Sequence, residues 1–227
     1  MKEPRVVHDL ATPAVVVDLD ALDRNLTTMA SLLPGGRLRP HVKATKCTAL
    51  ARRQVAVGHH NFTCATPKEI VGMVRAGVGT DILLANETLD VDRLRTLAAL
   101  GDSATITVAI DSVEALHAAH AAGIRNVLID VNVGLPRCGV AVKGAGRLAD
   151  DARAKGLTVR GVMGYEGHLM MVSDRADKQA KVSEAMDLLV RASRDVGGEI
   201  ISAGGTGTFD MHASTGVTEV QAGSYSL

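Results

Sequence analysis

Apolar runs rich in β-branched residues recur along this chain at intervals of roughly 20–30 residues, and alanine-rich amphipathic stretches lie between them. That alternation admits few folds, because each helix-length stretch must carry the chain back to start a parallel neighbour. The runs are 37–42, 61–64, 81–85, 105–110, 126–131, 159–164, 199–203 and 217–221. The stretches between them include 66–76, 89–100, 112–122 and 177–196, several closed by a glycine such as Gly77, Gly123 or Gly156. Counting from Arg37 gives eight strands, the number in a (β/α)8 barrel of the TIM type. An open doubly wound sheet competes, but it usually has fewer strands, and no GxGxxG follows an early strand.

Two features do not fit a self-contained barrel. Ala14-Val15-Val16-Val17-Asp18-Leu19 reads as an extra first strand, entered through Thr12-Pro13. Asp20 then reads as the cap of a helix whose Leu22, Leu26 and Met29 share one face, and Pro34-Gly35-Gly36 ends that helix. At the other end the chain stops straight after the eighth strand, without an eighth helix. The expectation is an amino-terminal portion of something longer. Residues 1–36 would lead into the barrel and 37–227 would form it, with the spare strand paired to a sheet outside this sequence. A natural short barrel capped by its first strand is the competing reading.

Composition narrows the partners. Lysine and arginine number 25 against 25 acidic residues, so there is no basic field to hold nucleic acid or an anionic membrane. Aromatic residues are 2% of the chain, too few to build stacking platforms for single strands. The three cysteines Cys47, Cys64 and Cys138 form neither a disulfide framework nor a CxxC pair. The start lacks the apolar core of a signal peptide and no run is long enough to span a bilayer. The expected setting is reducing and cytoplasmic, with no nucleic-acid or membrane partner.

In a barrel the chemistry collects where strands end. His41 and Lys43 close the first run, Asn86-Glu87 the third, and Arg137-Cys138-Gly139 lie beyond the fifth. Gly164-Tyr165-Glu166-Gly167-His168 closes the sixth. Gly204-Gly205-Thr206-Gly207-Thr208 closes the seventh, and Gln221-Ala222-Gly223-Ser224-Tyr225 the eighth. Glycines let backbone N–H groups approach an anion, threonine hydroxyls add donors, and barrels commonly bind phosphate on the last two loops. A strand-end lysine facing such a site suggests pyridoxal 5′-phosphate, with the lysine on its aldehyde. A phosphosugar aldolase with a Schiff-base lysine fits the same features.

The motifs together resemble a known family. RPHVKATK at 39–46, Gly134-Leu135-Pro136-Arg137-Cys138-Gly139-Val140, GYEGH at 164–168, GGTGT at 204–208 and VTEVQAGSY at 217–225 run in order along the chain. The pattern is similar to the alanine-racemase-like (fold type III) pyridoxal-phosphate enzymes, and within them to the D-threonine aldolase and D-serine dehydratase group. The resemblance implies that Lys43 is the Schiff-base lysine and that Gly205, Thr206, Gly223, Ser224 and Tyr225 hold the phosphate. It places Arg137 near the cofactor's phenolic oxygen, Tyr165 near the ring and Gln221 by the pyridine nitrogen. His41 joins the cofactor-binding set, and His168 is the expected acid or base at the substrate hydroxyl.

The function implied is a lyase acting on β-hydroxy-D-amino acids, foremost the retro-aldol cleavage of D-threonine to glycine and an aldehyde. Elimination of the D-serine dehydratase type, racemisation, and a non-catalytic pyridoxal-phosphate homeostasis protein are the alternatives. The resemblance also implies a homodimer, and a divalent metal, manganese or zinc, held by a carboxyl-terminal β domain not in this sequence. His59, His60, His117 and His120 read as surface or core histidines rather than ligands, and the cysteines as small buried residues.

Overall fold

A computed structural model describes residues 6–227. Seven strands form one parallel sheet in chain order: β1 (Asn61–Cys64), β2 (Asp81–Leu84), β3 (Thr105–Ile110), β4 (Asn126–Asp130), β5 (Thr158–Met163), β6 (Ile200–Ala203) and β7 (Glu219–Val220). Seven α-helices accompany them: α1 (Leu19–Leu32), α2 (Thr48–Ala56), α3 (Pro67–Arg75), α4 (Val91–Ala98), α5 (Val113–Ala121), α6 (Val142–Ala154) and α7 (Arg175–Val196). The fold is an α/β barrel architecture, a parallel sheet with helices between successive strands.

The expected first strand at 37–42 is not a regular strand. Residues 38–41 make isolated bridges to both sheet edges, Leu38 to Val220 and His41 to Thr63. Arg39 and His41 donate their N–H groups toward β7, while the carbonyl of Pro40 accepts from Thr63 on the β1 side. Pro40 has no N–H to extend the ladder, and the chain turns at once into a 3-10 helix at Val42–Ala44. The segment therefore joins the two edges without becoming a strand in its own right.

Strand alternation stacks the interior in layers. At the bottom lie Arg39, Asp81, Arg160 and Glu219. Arg39 Nε meets Glu219 Oε1 at 2.7 Å, and its Nη1 meets Asp81 Oδ1 at 3.1 Å. Arg160 spans both oxygens of Asp81 and reaches the Thr107 hydroxyl. Above them Leu83, Ala109, Leu128 and Met163 form a small apolar layer. The larger core lies outside the sheet, where residues such as Ile82, Leu84, Val127 and Val162 meet the helices.

Residues 14–18 pair with no strand among the described residues and run into α1, with Val15 95% exposed; the sheet expected to pair with them lies outside this sequence. Asp18 rather than Asp20 caps α1, accepting from the N–H of Ala21. The helix buries Leu22, Leu26 and Met29 in the common core. It lies beside α2, through Asp23 and Arg53, and against Ser224–Ser226. Residues 19–32 thus pack onto the barrel's helical layer. No helix among the described residues is long and apolar enough to cross a membrane.

Candidate active site

The strand ends open into one cavity of about 690 Å³. His41, Lys43, Arg137, Tyr165, Gly205, Thr206, Gln221, Gly223 and Ser224 all line it, together with Asn86, Glu87, Cys138 and Met170. Alternation explains the near wall. Arg39, His41 and Lys43 step upward on one side, and Glu219, Gln221 and Gly223 do the same on the next.

Lys43 sits in the short 3-10 turn that follows the bridging segment. Burial, and then the charge of Arg137, depress its pKa, with Glu69 acting in the opposite sense. An amine so placed loses its proton more readily than a surface lysine, as a nucleophile requires. Its Nζ is 5.5 Å from the centre of the Tyr165 ring, and the Arg137 guanidinium is also 5.5 Å from that centre. Two cations therefore flank one aromatic ring. His41 is held neutral, its pKa lowered to about 3 by burial and then by Lys43. Its Nδ1 accepts from the Lys43 N–H at 3.3 Å, which pins the turn carrying the lysine.

The glycine loops supply donors in want of an acceptor. The Thr206 hydroxyl is buried without a partner among the described residues. The N–H groups of Thr206, Gly207, Gly223 and Ser224 likewise donate to no described residue. Such a set suits a phosphate group. Gly223 is packed so closely that a Cβ there would collide with the carbonyl oxygen of His41. Gly223→Ala is expected to cost about 1–3 kcal/mol of stability, measured by chemical denaturation, and to weaken anion binding at this loop.

Beneath the loop lies a buried carboxylate whose role was not legible in the sequence. Glu166 accepts from the Thr208 hydroxyl at 2.6 Å and from the Gly204 N–H at 3.2 Å, and His212 Nε2 is 3.2 Å away. Burial works to raise its pKa, but His212 and Thr208 hold it below the ordinary carboxylate value. The Thr208 hydroxyl also accepts from the Gly205 N–H, so Glu166 braces the loop that presents the free donors.

Two of the expected site residues are not brought to the cavity. His168 lies in the 3-10 helix Gly167–Leu169, exposed, with its ring beside Gly134, where it lines a separate depression along α7. The Tyr225 side chain turns into the core, where its hydroxyl accepts from Gln54 Nε2 at 3.0 Å. Only the Tyr225 backbone is left near the loop. Gln221 does face the cavity and donates to the Ser202 hydroxyl at 2.8 Å, leaving its amide oxygen as an acceptor.

The far wall is acidic. Glu87, Asp130 and Cys138 bring two carboxylates and a thiol within 4.8 Å of one another, the one such cluster among the described residues. The thiol is engaged in hydrogen bonds to Arg137 and Asp130, and burial together with the neighbouring carboxylates pushes its pKa up to about 12. Cys64 is buried and its pKa is raised as well. Both thiols stay protonated at neutral pH, so alkylation by iodoacetamide at pH 7.5, a value set by ordinary assay practice at roughly one unit below the free-thiol pKa, is expected to be slower than for an exposed cysteine.

Comparison with known proteins places the chain in a family. The sequence profile of the alanine racemase N-terminal domain matches residues 17–226. The D-threonine aldolase of Arthrobacter sp is 34% identical over 232 residues, 95% of this chain and 61% of that protein. The crystal structure of D-threonine aldolase from Filomicrobium marinum superposes with a TM-score of 0.89 at 37% identity, covering 97% of this chain and 63% of that one. The D-threo-3-hydroxyaspartate dehydratase from Delftia sp. HT23 superposes at 0.87 with 30% identity, over 96% and 62% of the two chains. The chain thus spans about three fifths of the length of the curated relatives it matches. A profile match across nearly its whole length, on a barrel of the same kind, establishes that the chain belongs to the alanine racemase N-terminal domain family.

Proposed function

We propose that this protein is a pyridoxal-phosphate-dependent lyase of β-hydroxy-D-amino acids, cleaving substrates of the D-threonine type to glycine and an aldehyde. The observation that carries the reading is one cavity holding the Lys43 amine opposite glycine loops with unmatched donors. Its relatives named as D-threonine aldolase and 3-hydroxy-D-aspartate aldolase support the same reaction class. The residues fit the cofactor. Lys43 would hold its aldehyde carbon, and Thr206, Gly205, Gly223 and Ser224 its phosphate. Tyr165 and His41 would bound the ring, Arg137 would face its phenolic oxygen, and Gln221 its nitrogen. Bound there, pyridoxal phosphate supplies an electron-withdrawing ring that takes up the electron pair released when a bond to the substrate Cα breaks.

What the chain contributes is placement. Arg137 is a fixed cation that favours an ionised oxygen beside it. Gln221 is neutral, so it offers a hydrogen bond without adding charge. His168 faces elsewhere, so the group that removes the hydroxyl proton is not assigned to it. The reading includes a homodimer, supported by exposed apolar side chains at Val15, Val16 and Met171. It includes a divalent metal too, which the resemblance assigns to a carboxyl-terminal domain outside this sequence.

The test is to supply the whole natural protein with pyridoxal phosphate and D-threonine, and to follow glycine and acetaldehyde. Release of both from D-threonine, with none from L-threonine, is the expected result. A 2-oxo acid and ammonia instead would assign the elimination reaction that the dehydratase relative carries out. Exchange of the α-proton alone, or tight binding without turnover, would overturn the lyase reading.

A further inference from the structure

Arg137 is carried by a loop that is closed at its base and open at its tip. Val131 and Val140 form a bridge across the base, and Asn132 and Val140 add backbone bonds at 3.0 and 2.9 Å. Gly139 has φ +99°, and a Cβ there would lie 2.5 Å from the Asn132 nitrogen, so the closure requires glycine. The Gly139 N–H is tied to Asp111 Oδ2 at 3.0 Å. The tip is freer, and Arg137 itself is exposed. A long side chain in that position has many rotamers open to it.

One contact selects among them. Arg137 Nε donates to Cys138 Sγ at 3.3 Å, the sole hydrogen bond of this guanidinium among the described residues. The thiol donates in turn to Asp130 Oδ2 at 3.3 Å. Asp130 ends β4, is 3% exposed, and sits beside Glu87. We infer that Cys138 and Asp130 are positioning residues, which hold the Arg137 guanidinium against the Tyr165 ring and at the cavity wall. The inference rests on the pyridoxal-phosphate reading only for what Arg137 then faces.

The proton inventory of the chain is consistent. A thiol has one hydrogen to give and a sulfur lone pair to receive with, and here each is used once. Burial, then the charge of Glu87, lift Asp130 to about 8, so at neutral pH this carboxyl keeps a proton and can pass a hydrogen bond to Glu87. Hydrogen bonds then run in one direction from the guanidinium through the thiol to the carboxyl.

The experiment reads the arginine directly. In the NMR spectrum of the protein, the Arg137 Nε–H resonance is assigned by its loss in Arg137→Lys. In Cys138→Ala its exchange with solvent is expected to quicken by about tenfold, and Cys138→Ser, which can give and receive in the same way, is expected to restore protection. Pyridoxal phosphate affinity is then compared in two backgrounds. Cys138→Ala should weaken it by about tenfold in the otherwise native protein, and by less than about twofold once Arg137 is lysine. Unchanged Nε–H exchange in Cys138→Ala, or an equal loss of affinity in both backgrounds, would overturn the inference. Failure of the native protein to bind the cofactor would sink the reading under Proposed function, while the exchange measurement would still decide the positioning role.

Discussion

Lys43→Ala is expected to abolish covalent retention of pyridoxal phosphate and to lower turnover by about three orders of magnitude or more. No other amine replaces it. Lys46 is three residues on, at φ +49°, and its ammonium pairs with Glu69 at 3.2 Å, outside the residues that line the cavity. The folded state should be little changed, because the Lys43 side chain lines an open cavity and makes no ion pair among the described residues. The variant therefore separates chemistry from stability. Its melting temperature without cofactor should match that of the native protein within about 2 °C, the shift that corresponds to roughly 0.5–1 kcal/mol in a chain of this size. A cofactor spectrum identical to that of the native protein would place the reactive amine elsewhere.

Arg39→Ala is expected to destabilise the fold by about 3–5 kcal/mol, or about 6–20 °C in melting temperature for a chain of this length. Arg39 is 1% exposed and is the ionic partner of Glu219, which is 5% exposed. Asp81 would keep Arg160, but Glu219 would be left with no cation. A buried carboxylate stripped of its cation keeps its desolvation cost with nothing to offset it, which is the source of the loss. Replacing Glu219 as well, with leucine, should recover part of the loss, since an apolar pair removes the stranded charge. A single Arg39→Ala variant within about 1 kcal/mol of the native protein at neutral pH would show that this layer does not hold the barrel floor together.

Much of this architecture was readable because buried parallel strands leave a strong mark. The runs at 61–64 and 105–110 coincide with β1 and β3, since apolar β-branched residues there end at polar or glycine-rich turns. The N-caps Thr66, Ser112 and Asp90 stand where short polar side chains precede apolar helices, and each accepts from the backbone three residues on. The segment at 37–42 misled because strand propensity does not report a missing donor at Pro40. The valines at 15–17 stand unpaired for another reason: β-propensity is realised only against a neighbour, and the neighbour expected for them lies outside this sequence.

The candidate site was legible by position and opaque in its supports. Lys43, Gly205, Gly223 and Gln221 follow from strand ends and alternation, so they converge as expected. His168 and Tyr225 stand at strand ends too, but their side chains turn away because local 3-10 turns reset the alternation. Glu166 with His212, and Asp130 with Cys138, join residues on different loops or on a strand and its loop, and no periodicity couples them. A buried acid at a strand end, adjacent to a glycine loop or an arginine, is the signal that could have marked both.

The most direct test of the account is to treat the protein with pyridoxal phosphate, reduce it with borohydride, and map the modified peptide. The account predicts a single phosphopyridoxyl group, on Lys43, in the peptide that carries His41-Val42-Lys43-Ala44. Label on Lys46 or spread over surface lysines, or no reducible adduct in the whole natural protein, would contradict it.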